Sequence, residues 1–298
     1  MKQVKQRFDM LFIGHVAKDV IEVSGKRVTA AGGGVYYGSI AALMLGASVG
    51  IITRCRKEDA KLLDPVRQMG GKVFIQTSQE TSGIHNIYLD ETMETRQCHP
   101  LGFAGLIDTG KIPAGLQAKY IVVAPIMAGE VDIKVLKFLH GTMQGNLCLD
   151  IQGFVRVRQG TDLVFRDWRK KQEGLAMVRI LKMDRAEARN LSGMNDIEMA
   201  LRKVATMGPS EIILTHEEGV TLVHDGEIIT RPWRNISMSG RTGRGDTTFA
   251  SYIASKLHLD PGNALTRAAA VASMKMNNPG PITATLDQVK AFQEKHYS

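Results

Sequence analysis

Gly240, Gly243 and Gly245 alternate with Arg241, Thr242 and Arg244 before Asp246, and the segment that follows carries Phe249, Tyr252, Ile253 and Leu257 at i, i+3, i+4 and i+8. That spacing belongs to an amphipathic helix with one buried face, so a glycine-rich turn opens a helix. Glycine lets the backbone approach a ligand closely enough for several N–H groups to converge on one anion. The helix dipole adds partial positive charge at the same point. An aspartate there stays ionised and can take a proton from a hydroxyl while the amides hold a phosphoryl group in transfer. The bland alternative is a loop whose aspartate sits near a helix start because aspartate is favoured there anyway. Arg244-Gly245-Asp246 is also the adhesion tripeptide, but nothing suggests secretion and a helix start would lock it.

The elements that must hold this turn follow from the apolar runs. A buried first strand over 9–14 precedes Asp19 and a small hairpin, 20–23 and 28–30, around Gly25. Gly32-Gly33-Gly34 leads into a small-residue helix over 35–45, a tight turn or a close approach to substrate; it lacks the G-x-G-x-x-G of a dinucleotide site. Strand 49–53, helix 58–69 and strand 72–76 set a βαβ rhythm, and 120–124, 131–140 and 147–151 resume it. Between them, 84–89 and 95–101 alternate as a second hairpin around 90–93. Residues 152–158 continue into a basic, Trp-containing loop. A strand over 180–183 ends where Asp184-Arg185-Ala186-Glu187 starts a helix. Helix 197–207, strand 211–214 ending at Thr215, and a hairpin of 219–224 and 227–230 about Asp225-Gly226 precede the glycine turn. Helix 264–276 stops before Asn277-Asn278-Pro279, and Thr285 with Gln288 caps a last helix over 286–295.

At 298 residues, 44% hydrophobic and 23% charged, the chain can bury a large core. Cys55, Cys98 and Cys148 are too scattered for a disulfide framework or zinc cage, which suits a reducing compartment. His85, Cys98 and His99 read as lid residues more readily than as metal ligands. The net charge of +8 suits an anionic ligand; the basic residues are dispersed, and the run over 166–171 lacks the aromatic interleaving of a nucleic-acid surface. There is no h-region of a signal peptide and no apolar stretch of membrane-spanning length, so a soluble cytoplasmic protein is expected.

Along nearly its whole length the chain resembles the ribokinase (PfkB) family of ATP-dependent carbohydrate kinases. The family's C-terminal signature, approximately Asp-Thr-Thr-Gly-Ala-Gly-Asp, is here Gly240-Arg241-Thr242-Gly243-Arg244-Gly245-Asp246, with Gly243, Gly245 and Asp246 matching. Gly14, Asp19 and Gly32-Gly33 fall in the family's order. Asp184-Arg185-Ala186-Glu187 resembles its Asn-x-x-Glu, and Thr215 with Gly219 resembles a nucleotide-binding Thr-x-Gly-x-x-Gly reduced to Thr-His-Glu-Glu-Gly. Arg244 stands for alanine, Tyr37 for an expected asparagine and Asp184 for asparagine. Together with Asp150-Ile151-Gln152 and Arg156-Val157, the turn is similar to an inositol-kinase-like branch.

The resemblance implies one ribokinase-like domain over 1–298, a three-layer α/β/α doubly wound sheet with a small β lid at about 15–31 and 83–102. It implies ATP and Mg²⁺ as cofactors and a small polyol as acceptor, with no nucleic-acid or membrane partner. Asp246 would be the base and Gly243, Arg244 and Gly245 the anion hole. Asp19, Gly33, Gly34 and Tyr37 would bind substrate, Asp184, Thr215, Gly219 and Asn278 the nucleotide, and Glu187 the metal. Exposed lid edges would also allow a homodimer. A nucleoside kinase of the same family and a non-catalytic nucleotide or anion sensor stay open, the second because of Arg244 and the reduced Thr215 region.

Overall fold

Met10-Leu11-Phe12-Ile13 is apolar on both faces because both faces are covered. In the computed structural model, which describes residues 6–88 and 96–297, this run forms the centre of β1 (Gln6–Ile13), with all four side chains buried. The chain continues through β2 (Ala17–Val23), β3 (Lys26–Gly32), α1 (Gly34–Met44), β4 (Val49–Cys55), α2 (Asp64–Gln68) and β5 (Lys72–Thr77). Next come β6 (Gly83–Tyr88), β7 (Arg96–Gly102), β8 (Leu116–Val123), α3 (Ile133–Thr142), β9 (Asn146–Asp150), α4 (Gln152–Val155), β10 (Arg156–Gln159) and β11 (Asp162–Phe165). The remainder is α5 (Lys171–Leu175), β12 (Ile180–Asp184), α6 (Arg185–Ser192), α7 (Ile197–Ala205), β13 (Glu211–Thr215), β14 (Gly219–His224), β15 (Glu227–Pro232), α8 (Arg244–Ser255), α9 (Pro261–Met276) and α10 (Leu286–Tyr297).

Among the described residues, nine strands form the main sheet in the order β15-β14-β13-β12-β9-β8-β1-β4-β5. The seven from β13 to β5 are parallel, and β14 and β15 add an antiparallel edge. Alternate residues serve opposite cores: Met10, Phe12, Ile51 and Val122 pack with α1, α8 and α9, whereas Leu11, Ile13, Ile52 and Val123 pack with α3 and α7. The result is a three-layer, doubly wound α/β fold. The order reverses at β1, between β4 and β8, and such a switch point opens a crevice beyond the carboxyl ends of the strands. A second sheet, β3-β2-β6-β7, stands outside the first. Its strands fall within the spans expected for a lid; the turn at 89–95 lies outside the described residues.

Two expectations are corrected. The helix expected over 58–69 is a 3₁₀ turn, Lys57–Leu63, followed by the short α2, because Pro65 lacks an N–H and cannot continue a helix through its own position. The segment after Gln152 is not a loop: α4 and the hairpin β10–β11 form there, with Arg156 paired to Phe165 across the turn at Gly160. Helix α8 starts at Arg244, which puts Asp246 inside its first turn. The cap on the last helix is as expected, with Thr285 N donating to Gln288 Oε1 at 2.8 Å. Cys55, Cys98 and Cys148 are free thiols. Among the described residues no helix is long and apolar enough to cross a membrane.

Candidate active site

Two glycine turns face each other across the switch point. Gly33 caps α1 at φ 89°, and a Cβ there would lie 2.6 Å from the His15 carbonyl oxygen. Gly243 caps α8 at φ 82°, where a Cβ would lie 2.5 Å from the Tyr37 ring. Both positions therefore need glycine for conformation and for space. A Cβ on Gly34 would come within 3.2 Å of Asp246 Oδ1, which places the carboxylate directly against the first turn. In the first turn of α8, Arg244 N donates to the Arg241 carbonyl at 3.0 Å, while Gly243, Gly245 and Asp246 line the same crevice, where a helix start favours an anion. Asp19, on β2, accepts a hydrogen bond from Ile84 N at 2.8 Å and is 7% exposed, so it ties two strands of the small sheet while facing the crevice. Burial, then Asp19 and Asp246, push the Tyr37 hydroxyl far above its ordinary value, so it is a neutral phenol.

The opposite wall is cationic. Lys182 projects from β12 and donates to Asp150 Oδ2 at 2.9 Å; the two residues are register partners on adjacent parallel strands. Burial works against its ammonium, but Asp150, Glu187, Asp246 and Asp184 outweigh it and raise its pKa. Burial pushes the Asp150 carboxyl above its ordinary value despite Lys182. Arg156 Nη2 lies 3.0 Å from Glu187 Oε1 and 3.4 Å from Asp184 Oδ2. Gly245 is the point where this wall meets the turn, since a Cβ there would lie 3.2 Å from Lys182 Nζ. Arg244 stacks over Trp233, 5.2 Å from its ring centre.

These groups line one cavity of about 760 Å³. Of the site residues the sequence nominates, Asp19, Gly33, Gly34, Tyr37, Asp184, Thr215, Gly243, Arg244, Gly245 and Asp246 line it. Gly219, Asn278 and Glu187 do not. Gly219 starts β14 with its backbone against Arg231, and Asn278 lines a separate hollow behind the turn, beside Pro281 and Phe292. The cavity residues missed in the sequence are Lys182, Asn86, Tyr88, Gln97 and Asp162; Gln152 and Arg156 entered only through the resemblance and His99 only as a lid residue. A lone lysine inside the apolar run 180–183 was the available signal for Lys182. The hairpin β10–β11 supplies Asp162 to Phe165, and Asp162 meets His99 of the small sheet at 3.1 Å. Tyr88 hydroxyl and Thr242 Oγ1 are 2.8 Å apart, joining that sheet to the glycine turn.

A magnesium held by the chain itself does not fit these residues. Glu187 is fully buried, with one oxygen on the Asp184 N–H, in a capping box, and the other on Arg156. Burial and Asp184 raise its pKa to about 7 against Lys182 and Arg156. Among the described residues no group of three His, Cys, Asp or Glu side chains could hold a metal. Asp184, one third exposed, is the carboxylate on this wall that faces the cavity. His85, Cys98 and His99 lie on β6 and β7, bonded to Glu22, Asn86 and Asp162 respectively.

A doubly wound sheet with an anion-binding helix start and an aspartate at its switch point is the build of a phosphoryl-handling protein. Residues 147–288 match the family model of pfkB family carbohydrate kinases. The chain is 34% identical, over 92% of its length and 97% of the other's, to a solved pyrophosphate-dependent kinase in the ribokinase family complexed with a pyrophosphate analog and myo-inositol, with a TM-score of 0.85. A pyrophosphate-dependent myo-inositol-1 kinase converted into a myo-inositol-3 kinase by two substitutions is 32% identical, covering 97% of this chain and 100% of that one, with a TM-score of 0.86. A cytidine kinase of Thermococcus kodakarensis is 27% identical over 83% of this chain and 87% of its own length. The chain belongs to the ribokinase (PfkB) family of kinases and is thereby a phosphotransferase.

Proposed function

We propose that this protein transfers a phosphoryl group from a phosphoanhydride donor to one hydroxyl of a small polyol of the myo-inositol kind. The observation that carries the reading is Asp246 in the first turn of α8, set between the glycine turn of α1 and the cationic wall of Lys182 and Arg156. Asp246 takes the acceptor's proton as the amides of 243–246 hold the transferred group, and Arg244 and Lys182 offset the charge left on the donor. Asp19, Asn86, Gln97 and Gln152 supply the acceptors and donors that a hydroxyl-rich ring needs, with Gly33 and Gly34 giving it room. The sheet β3-β2-β6-β7 acts as the lid that excludes water.

Pyrophosphate is the donor we favour. Arg156, Lys182, Arg241 and Arg244 all line the cavity, a charge density suited to a compact anion, and solved relatives at 32% and 34% identity are pyrophosphate-dependent. ATP with Mg²⁺ is the rival donor, for which Thr215 and Asp184 offer cavity-side contacts while Gly219 and Asn278 lie off it. The cytidine kinase likeness makes a nucleoside the rival acceptor. A homodimer through the lid belongs to the same reading: β3 is an edge strand and its Val28 is 63% exposed.

The deciding experiment follows product formation from pyrophosphate or ATP against inositols, hexoses, ribose and nucleosides, beside Asp246→Asn. We expect transfer from pyrophosphate to an inositol, reduced about 10²–10⁴-fold in the variant. Transfer from ATP alone would replace the donor assignment, and a nucleoside product would replace the acceptor. Binding of pyrophosphate or ATP without transfer to any acceptor would leave a non-catalytic sensor.

A further inference from the structure

The hairpin β10–β11 is a two-stranded sheet that joins neither larger sheet. Two strands alone are marginal in water, so its order depends on what its two ends touch. At its root Arg156 pairs in register with Phe165, its guanidinium carbon 5.7 Å from the centre of that ring, and its Nη2 reaches Glu187 on the cationic wall at 3.0 Å. At its tip the hairpin meets the small sheet. His99 Nδ1, on β7, lies 3.1 Å from the Thr161 carbonyl oxygen and 3.1 Å from Asp162 Oδ1. Both partners accept, so Nδ1 carries the hydrogen. Between root and tip, Arg158 Cζ lies 5.5 Å from the centre of the Phe103 ring, and Leu163 packs against Ala17, Ile84, Ile126 and Met127. Asp162 to Phe165 line the cavity.

We propose that the hairpin links the donor and acceptor sites and that His99, with Asp162, is its latch, a positioning pair that makes donor binding and closure of the small sheet over the acceptor reinforce each other. The proposal rests on the kinase reading above. Arg156 is the first residue of β10, so the aim of its guanidinium follows the hairpin. With the tip held by His99, the root is already placed for an anion, and the donor binds without the cost of ordering it. Conversely, an anion on Arg156 orders the hairpin and presents Thr161 and Asp162 to the small sheet, which then stays shut over the acceptor. Such coupling is reciprocal, each ligand tightening the other by the same factor. His99 and Asp162 are 35% and 58% exposed at the side chain, so their share is that of a partly screened contact, about fivefold.

The test measures myo-inositol binding by calorimetry in wild type, His99→Phe, Asp162→Ala and the double variant. Each is titrated alone, with methylenediphosphonate, a pyrophosphate that cannot be cleaved, and with the β,γ-methylene analogue of ATP. We expect one of the two analogues to tighten myo-inositol about fivefold in wild type. The variants should bind each ligand alone as wild type does and lose the tightening, the double variant no more than either single one. Acceptor affinity that falls equally with and without the analogue would make His99 and Asp162 direct acceptor contacts and overturns the link. Tightening that survives in the variants, or is absent from wild type, overturns it too. Asp162 stands at an exposed turn, so its variant keeps the fold whatever becomes of the link. Hydrogen exchange reads the same link without an acceptor. The effective analogue should slow exchange in both 156–165 and 96–102 of wild type, and in 156–165 alone of His99→Phe. Protection of 96–102 that persists in the variant, or that neither analogue produces in wild type, overturns the proposal. Wild-type protein that transfers nothing would remove the kinase reading, while this second readout still decides the latch.

Discussion

Lys182 sits among Ile180, Leu181 and Met183 on a strand buried on both faces, 5% exposed at the side chain, and it is held there by charge. A buried ammonium persists only when its partners compensate for lost hydration, and Asp150 and Glu187 do so at 2.9 and 3.8 Å. Its removal leaves two buried carboxylates short of a partner. Lys182→Met is therefore expected to lower unfolding free energy in urea by about 3–5 kcal/mol and to weaken donor binding measured by calorimetry. An unchanged urea midpoint would show that the cluster repacks as neutral groups. Gly243→Ala acts through a different cause, a left-handed φ of 82° and a Cβ 2.5 Å from the Tyr37 ring. It should depress kcat more than stability, because the strain falls on the turn that carries the amides; a melting shift with normal kcat would contradict this.

At the level of elements, the small sheet and the glycine turn are joined by the Tyr88–Thr242 hydrogen bond, with Tyr88 only 2% exposed. Tyr88→Phe removes the hydroxyl and keeps the ring, and a typical hydrogen bond contributes about 1 kcal/mol. The expected outcome is a rise of roughly fivefold in acceptor KM, the equivalent of that energy, with the fold retained; an unchanged KM would detach the sheet from closure. The same elements show what a sequence reveals. Asp246, Gly243 and Gly245 were legible because their chemistry is local, three residues in one turn followed by helical spacing. Asp150 and Lys182 were not, because their pairing is created by the register of β9 with β12, strands far apart in the chain. The hairpin β10–β11 was hidden for another reason: Arg156, Arg158 and Arg166 made its segment read as solvated, whereas Arg156 is turned inward onto Glu187. Gly219 and Asn278 failed as cavity residues because a motif fixes order along the chain and not which side of the sheet edge a residue faces.

For the whole molecule, the switch point that creates the crevice is also where buried acid accumulates. Glu130 is fully buried and accepts from His15 N at 3.1 Å and from Ile126 and Met127 N at 3.0 Å, tying the end of β1 to the loop after β8. Burial raises its pKa from 4.5 to about 8 in spite of those three donors, and burial lowers that of His15 to about 3. The sign of the linkage follows. Between 4.5 and about 8 the unfolded chain has released this proton and the folded chain has kept it, so the unfolded state binds fewer protons and stability falls as pH rises. The contribution is complete below 4.5 and gone above about 8. Asp9 acts at the other end: Lys119 and Ser48 lower its pKa from 3.8 to about 2 against its own burial, so its contribution is present above 3.8 and is lost as pH falls through about 2. His15 runs the other way, adding stability as pH rises from about 3 to 6.5 and offsetting Glu130 over that span, so melting temperature should decline from pH 6.5 toward pH 8, and Glu130→Gln should flatten that decline. The variant should also lose about 1–3 kcal/mol at the acid end, where an amide nitrogen facing the His15 N–H leaves that donor unpaired. A wild-type melting temperature that holds constant across this window would mean that the three N–H donors keep Glu130 ionised in the folded protein.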